Sequence, residues 1–251
     1  MIRQNIKTEE YFKNYLNEYK SHIKRGFEMI SNGKVLPERM VFFKKGQLDF
    51  IINYSIATYT SGLDITILRE EYSKVLDYWP QGWSKNIANL IIEGEVYDQY
   101  VLSAYDEMLW MLSLGYLLDV GAGDFNKLVE VIDRDQVKDF LFEFIIGARI
   151  KDREPIELES YREYFGVPKV FEKLRQAITE TEKEKVEKLV KEFVTREWYK
   201  NHKDAGWYNS HKSKHDSYFG YWSFETAAVV KIMGLDDSSF KDCQYYPGDL
   251  V

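Results

Sequence analysis

The spacing of hydrophobic residues along the chain predicts helices almost throughout. Near the N-terminus, apolar side chains recur every three or four residues from Phe12 to Ile30. Thr8, a candidate N-cap, precedes this stripe. The two glutamates directly after Thr8 lie in the first turn of the predicted helix, where negative charge interacts favourably with the helix dipole. The pattern predicts a first helix over residues 8–31.

Similar patterns continue towards the C-terminus. An apolar stretch at 48–59 and a capped segment that begins at Asp64 predict an antiparallel helix pair. Hairpin dipeptides are scarce, and we read residues 86–92 as a short helix and residues 96–119 as a long one that is mostly buried.

A glycine pair, Gly121 and Gly123, is the best candidate for a domain boundary. We therefore predict an all-α fold, a multi-helix bundle in two packed helical lobes. The N-terminal helical domain is expected over residues 1–121 and the C-terminal helical domain over residues 122–251.

The composition excludes several classes of protein. Hydrophobic residues make up 45% of the chain and aromatic residues 16%, so the chain is not a disordered one. The one cysteine, Cys243, cannot form an internal disulfide. The sequence shows neither a signal-peptide core nor an apolar run long enough to cross a bilayer. We therefore expect a soluble, cytoplasmic protein with no membrane partner.

The net charge of −7 is unevenly distributed. Residues 1–45 hold ten Lys or Arg against five Asp or Glu, whereas residues 46–170 hold eleven against twenty-two. Such a field repels phosphate backbones and attracts basic proteins. With a pI of about 5.3, a nucleic-acid-binding module is disfavoured, and no nucleic acid is expected as a partner.

Three histidines, His202, His211 and His215, form the one metal-like pattern in the sequence, with Asp216 close by. Lysines separate these histidines, which is more typical of a solvated linker than of a ligand set. We expect no metal and no cofactor. A helical metal-dependent hydrolase that uses these three histidines is the alternative function.

No catalytic residues are expected, because the chain has no glycine-rich phosphate loop, nucleophile elbow or Cys–His pairing. The adjacent acids Asp106 and Glu107 interrupt an apolar helix pattern. Neighbouring helix positions diverge by about 100°, so at most one of the two carboxylates points inward, where a tyrosine hydroxyl is the expected partner.

The C-terminal part of the chain carries three recognisable strings: YFGYWSFETAAVV from Tyr218, MGLDDSSF from Met233 and YYPGDL from Tyr245. They resemble the C-terminal domain of the PoNi family, bacterial immunity proteins against polymorphic nuclease toxins. The N-terminal half is similar to the family's N-terminal domain in a looser way, through residues 54–62 and the helix pattern at 72–79.

The resemblance implies an all-α, non-enzymatic antitoxin that binds and neutralises a cognate DNase toxin delivered by a type VI or other contact-dependent secretion system. Partner-contacting surfaces must differ between cognate pairs, so the shared strings are expected to be mainly structural. Glu225 is expected to be a buried carboxylate with a tyrosine or backbone partner. The motif residues are Gly220, Tyr221, Trp222, Ser223, Glu225, Tyr246 and Pro247.

A DNase must present a positive groove to its substrate, so the acidic middle of the chain is where we expect the toxin to bind. We expect the field of the whole surface, rather than any single carboxylate, to attract the toxin. The acidic candidates are Glu93, Glu95, Asp98, Asp133, Asp135, Asp152, Glu154, Glu157 and Glu159.

Overall fold

Helices dominate the structure, as the sequence pattern predicts. The computed structural model describes residues 1–153 and 167–251. The helices are α1 (Glu9–Ser31), α2 (Met40–Thr60), α3 (Ile65–Gly82), α4 (Lys85–Ala88), α5 (Leu102–Leu117), α6 (Ala122–Asp135), α7 (Phe140–Arg149), α8 (Val167–Thr179), α9 (Lys183–Glu192), α10 (Trp198–Asn201) and α11 (Phe224–Met233). A π-helical turn, Phe193–Glu197, joins α9 to α10. The two strands are β1 (Asn89–Ile92) and β2 (Glu95–Tyr100).

The chain packs into two compact units. The first comprises Met1–Ile87 and Asn209–Gly220, and the second comprises Ala88–Tyr208 and Tyr221–Val251. The second unit thus contains a long continuous stretch and the C-terminal segment. The predicted domain division at residue 121 concerns sequence domains, which need not coincide with packing units, and it stays a prediction.

Local sequence signals define the helices of the first unit. The Thr8 hydroxyl accepts a hydrogen bond from the Tyr11 backbone N–H at 3.2 Å, so the predicted cap of α1 is confirmed. The Asp64 carboxylate caps α3 in the same way, accepting from the Thr66 N–H at 2.8 Å. Helix α2 packs against both α1 and α3. Gly26 allows the α1–α2 approach, because a Cβ there would lie 1.9 Å from Gln47 Oε1.

The segment Asn209–Gly220 returns to the first unit and is hydrogen-bonded into it. The Tyr218 hydroxyl donates to Gln4 Oε1 at 2.6 Å, and the Tyr11 hydroxyl donates to the Tyr218 carbonyl at 2.9 Å. The Thr60 hydroxyl donates to the Phe219 carbonyl at 2.6 Å. A distant part of the chain therefore completes the core of this unit.

Helix α5 is the centre of the second unit. It is buried almost all round and packs against α6, α7 and α11. A helix that is apolar on every face needs neighbours on every side. The sequence-derived expectation of a buried helix here is correct, but its start is wrong, because the helix begins at Leu102 and not near Val96.

The residues before α5 form an antiparallel hairpin, so the predicted short helix at 86–92 is largely wrong. Residues 85–88 are helical, but β1 and β2 pair from Asn89 to Tyr100. The two turn residues, Glu93 and Gly94, have φ values of 52° and 88°. Positive φ at both central positions is the geometry of the tight turns that match the twist of paired strands.

Candidate functional site

The hairpin carries three of the predicted acidic residues at the protein surface. Glu93, Glu95 and Asp98 are all exposed. Neither Glu93 nor Glu95 lies within 4.0 Å of a basic group of any described residue. These two carboxylates therefore keep their full charge available to a partner.

Asp133 is also exposed, but its charge is partly compensated. Arg153 donates two hydrogen bonds to this carboxylate, at 2.6 and 3.0 Å, and also binds the carboxylate of Glu143. The hydrogen bonds that Arg153 donates to Glu143 and Asp133 raise its pKa, so the guanidinium stays charged. Because the two carboxylates share this one guanidinium, it offsets only part of the negative charge at Asp133.

Asp135 is not a surface residue, and this part of the sequence prediction is wrong. Its side chain is 0% exposed. It accepts hydrogen bonds from the Tyr100 hydroxyl and from Arg134 Nε, both at 3.0 Å. A buried carboxylate needs such partners because desolvation without them is costly. Asp135 thus fastens the base of the hairpin and cannot contact a toxin directly.

The remaining acidic candidates surround Pro155. Asp152 is exposed, and the structure shows no ion pair between it and another described residue. Glu154, Glu157 and Glu159 lie outside the described residues. Within the described part of the chain, the predicted acidic surface therefore consists mainly of the hairpin and Asp152.

The string that begins at Tyr218 is divided between the two units: Tyr218, Phe219 and Gly220, which has a φ of 131°, belong to the first unit, and the residues from Tyr221 onwards belong to the second. Tyr221 and Trp222 are buried. The Ser223 N–H donates to the Tyr245 carbonyl at 2.8 Å, which joins the string to the C-terminal YYPGDL segment. Burial and internal bonding are what a structural role requires.

The C-terminal segment is itself held in place. The buried Tyr246 side chain donates its hydroxyl to Asp237 Oδ2 at 3.0 Å, and burial raises the pKa of this phenol. Pro247 follows and precedes a short 3₁₀ turn, Gly248–Leu250. The motif residues Tyr246 and Pro247 therefore belong to the segment that packs the C-terminus against the second unit.

Glu225 is fully buried, as the sequence predicts. It accepts hydrogen bonds from Trp198 Nε1 at 2.5 Å and from the Ser223 hydroxyl at 2.7 Å. Its own backbone N–H is the backbone partner that the sequence predicts, and the two side-chain donors come in addition. Burial raises the pKa of Glu225 to about 7, against the opposing effects of Ser223 and of the His202 charge.

Asp106 is the inward member of the Asp106–Glu107 pair, and its expected tyrosine partner is replaced by two other groups. Trp207 Nε1 donates to Asp106 Oδ2 at 3.0 Å, and His202 Nε2 lies 3.3 Å from Asp106 Oδ1. Adjacent positions on a helix cannot both face the core, and Glu107 is accordingly half-buried.

The histidines do not form the metal site that the alternative function needs. Both ring nitrogens of His202 are engaged, Nδ1 with the Trp198 carbonyl at 2.6 Å and Nε2 with Asp106. His202 belongs to the second unit, whereas His211 and His215 belong to the first. Among residues 1–153 and 167–251, no three His, Cys, Asp or Glu side chains are arranged to share a metal ion.

An open cleft of about 330 Å³ lies in the first unit between α1, α2 and α3. Its lining is apolar at Phe27 and Tyr54 and charged at Lys20, Glu71, Lys74 and Asp77. None of the acidic candidates or C-terminal motif residues lines this cleft.

Comparison of this sequence with protein-family profiles gives two matches, which together include the segments that carry the resemblance. The profile described as "PoNe immunity proteins (PoNi), C-terminal" matches residues 137–250. The profile described as "PoNe immunity protein (PoNi), N-terminal" matches residues 3–130. The chain belongs to the PoNi family. PoNi proteins are non-enzymatic toxin inhibitors, so no catalytic residues are needed to explain this molecule.

A solved structure has a similar fold. The crystal structure of protein PA2201 from Pseudomonas aeruginosa superposes with a TM-score of 0.71 over 99% of this chain and 89% of that chain, at 18% sequence identity. At this identity the likeness concerns the fold alone. No curated protein matches the chain. Among the described residues of this PoNi protein, no helix has both the length and the hydropathy to span a membrane.

Sequence reasoning missed two features of this PoNi protein that bear on its surface. One is the hairpin, whose signal was the Glu93-Gly94 pair between the β-branched residues Ile91 and Ile92 and the segment that begins with Val96 and Tyr97. The other is the pair Ile91 and Val96, which the hairpin leaves about half exposed, at 51% and 52%.

Proposed function

We propose that this PoNi protein neutralises a cognate DNase toxin by stoichiometric binding through its acidic surface. The family assignment supports a toxin partner, and the toxin is then one delivered by a type VI or other contact-dependent system. The protective encounter takes place in the cytoplasm of the cell that makes the immunity protein.

The charge distribution is the observation that carries the proposal. The segment 46–170 holds twice as many acidic as basic residues. A DNase domain must attract a polyanion and therefore presents a positive face. Opposite potentials speed the encounter of two proteins, and the close contacts that follow set the lifetime of the complex.

Only some of the predicted acidic residues have an exposed carboxylate that could attract a toxin. Asp133 is paired with Arg153 and Asp135 is buried, whereas Glu93, Glu95 and Asp152 remain exposed without a described ion-pair partner. These residues belong to the second unit, which also contains the family's characteristic string from Tyr221 onwards. We propose that the string maintains the scaffold and that the surface acids meet the toxin.

Co-expression with the nuclease domain of the toxin encoded beside this chain tests the proposal. Cells that carry both proteins should grow, and the purified pair should elute as a complex of defined stoichiometry. Complex formation should survive EDTA, because the proposed contact between the two proteins involves no metal. Continued killing, or two separate elution peaks at micromolar concentration, would refute the function.

The salt dependence of the binding rates is a second test of the proposed function. The association rate should fall steeply between about 50 and 500 mM salt while the dissociation rate changes little, because screening acts mainly on the encounter of exposed charges. An association rate that is insensitive to salt would show that the acidic surface does not attract the toxin.

A further inference from the structure

The β1–β2 hairpin exposes an apolar spot on one face. Ile91 and Val96 are direct cross-strand partners, and each leaves about half of its surface in water, at 51% and 52%. Cross-strand partners project from the same side of the sheet, so the two side chains form one continuous patch. Covering this patch would remove apolar surface from water, which favours association with a partner.

The hairpin is held rigidly at its base. The Asn89 side chain donates to the Tyr97 carbonyl at 2.7 Å, and the Val101 N–H donates to the Ala88 carbonyl at 2.8 Å. The buried Tyr100 hydroxyl is bonded to Asp135 at 3.0 Å. A partner would therefore meet a preformed surface and lose little free energy in ordering it.

Acidic residues flank the apolar pair. The segment 89–100 contains Glu93, Glu95 and Asp98 and no Lys or Arg. A symmetric contact between the hairpins of two copies would bring like charges together, which is unfavourable. A basic partner, in contrast, would bind favourably for two reasons: its positive charge would compensate the acidic residues, and its surface would cover Ile91 and Val96.

We propose that the hairpin face of Ile91 and Val96, together with the acidic side chains at and beside the neighbouring turn, docks against the basic DNA-binding groove of the cognate DNase. This inference rests on the proposed function and assigns that function's contact to one element. Ile91 and Val96 act as anchors that slow dissociation. Glu93 and Glu95 speed association and compete with the phosphates of DNA for the basic groove.

Binding kinetics of the full chain with a catalytically inactivated form of the toxin's nuclease domain test the docking face. The double variant Ile91→Thr/Val96→Thr keeps β-branched residues at both positions, so the hairpin is retained while apolar surface is lost. It should dissociate at least tenfold faster. The matched control Leu36→Thr/Val41→Thr alters two exposed apolar residues of the first unit, at 60% and 45% exposure, and should stay within twofold of wild type.

The acidic contribution is tested separately. Glu93→Gln/Glu95→Gln should associate at least threefold more slowly at low salt, with the difference vanishing near 0.5 M salt. The control Glu38→Gln/Glu70→Gln changes the net charge equally at exposed positions of the first unit and should have a smaller effect. Thermal melting of each variant should match wild type, which separates contact from folding.

The outcomes distinguish this inference from the proposed function. If wild type binds and both hairpin variants bind equally well, the docking face is wrong and the function stands. If wild type fails to bind the toxin, the function itself is wrong. If Ile91→Thr/Val96→Thr changes self-association in sedimentation experiments but not toxin binding, the face joins two copies of this chain and the inference is overturned.

Discussion

His202 and Asp106 form an ion pair in the interior of the second unit. His202 Nε2 lies 3.3 Å from Asp106 Oδ1, and both side chains are 0% exposed. Burial lowers the pKa of His202, but the charge and hydrogen bonding of Asp106 outweigh it and raise that pKa overall. The residues come from α5 and from the end of α10, so the pair joins two parts of the chain that are far apart in sequence.

Breaking this pair should destabilise the second unit strongly. Asp106→Asn leaves a buried imidazole without its counter-charge and is expected to lower the free energy of unfolding by about 3 kcal/mol or more. Chemical denaturation monitored by tryptophan fluorescence measures this. Asp152→Asn, at an exposed site, is the matched control and should change stability by less than about 0.5 kcal/mol. Equal effects of the two variants would contradict a structural role for the pair.

Glu225 should tolerate loss of its charge better than loss of its hydrogen bonds. In Glu225→Gln, the amide oxygen can still accept from Trp198 and Ser223, and we expect a change within about 1 kcal/mol. Glu225→Ala leaves both donors buried and unpaired beside a cavity, and we expect a loss of about 3 kcal/mol. Urea denaturation of both variants gives the comparison. A larger loss for the glutamine variant would show that the charged form is the stabilising one.

The stability of the protein should fall as the pH rises from about 5 to above 7. Burial raises the folded-state pKa of Glu225 from 4.5 to about 7, so the folded protein holds a proton that the unfolded chain releases. The stabilisation is complete below the unfolded pKa and is lost as the pH rises through the folded pKa. The raised pKa of His202 acts in the same direction above its usual value of 6.5.

The pH dependence can be assigned to Glu225 by substitution. One such group contributes a slope of at most about 1.4 kcal/mol per pH unit. Denaturation midpoints between pH 5 and 8 should decline less steeply for Glu225→Gln than for wild type. Parallel pH profiles for the two proteins would show that another group causes the decline.

The hairpin should loosen when its anchor is removed. Tyr100→Phe deletes the hydroxyl that bonds to the buried Asp135, and we expect a cost of about 1–2 kcal/mol. Hydrogen exchange of the amides in 89–100 should accelerate more than exchange in α5. Tyr116→Phe is the control, because the half-buried Tyr116 hydroxyl has no hydrogen bond to a described residue. Unchanged hairpin exchange in Tyr100→Phe would show that the bond does not hold the hairpin.

Prediction from sequence succeeded where neighbouring residues determine the structure. The cap at Thr8, the cap at Asp64 and the buried character of α5 follow from residues within a few positions of one another. The hairpin was missed because a Glu-Gly turn is a weaker signal than Asn-Gly, and because the tyrosines of 97–105 also match a helical spacing.

The surroundings of Asp135 and Asp106 were predicted wrongly for a different reason. Whether Asp135 faces water or Tyr100, and whether Asp106 meets a tyrosine or His202, depends on contacts between residues 35 and 96 positions apart. No local pattern encodes such a choice. The exposure of Asp133 could be predicted from its position on the helix, but its ion pair with Arg153 could not.

The sequence by itself was enough to determine that this protein is helical, to show the resemblance to the PoNi family, and to place the excess negative charge in its middle, because composition, periodicity and short strings are properties of the chain. Only the tertiary structure decided which carboxylates carry that charge to the surface. Burial and ion pairing depend on which distant residues meet on folding, and they remove Asp135 and compensate Asp133 while leaving Glu93 and Glu95 exposed on a hairpin.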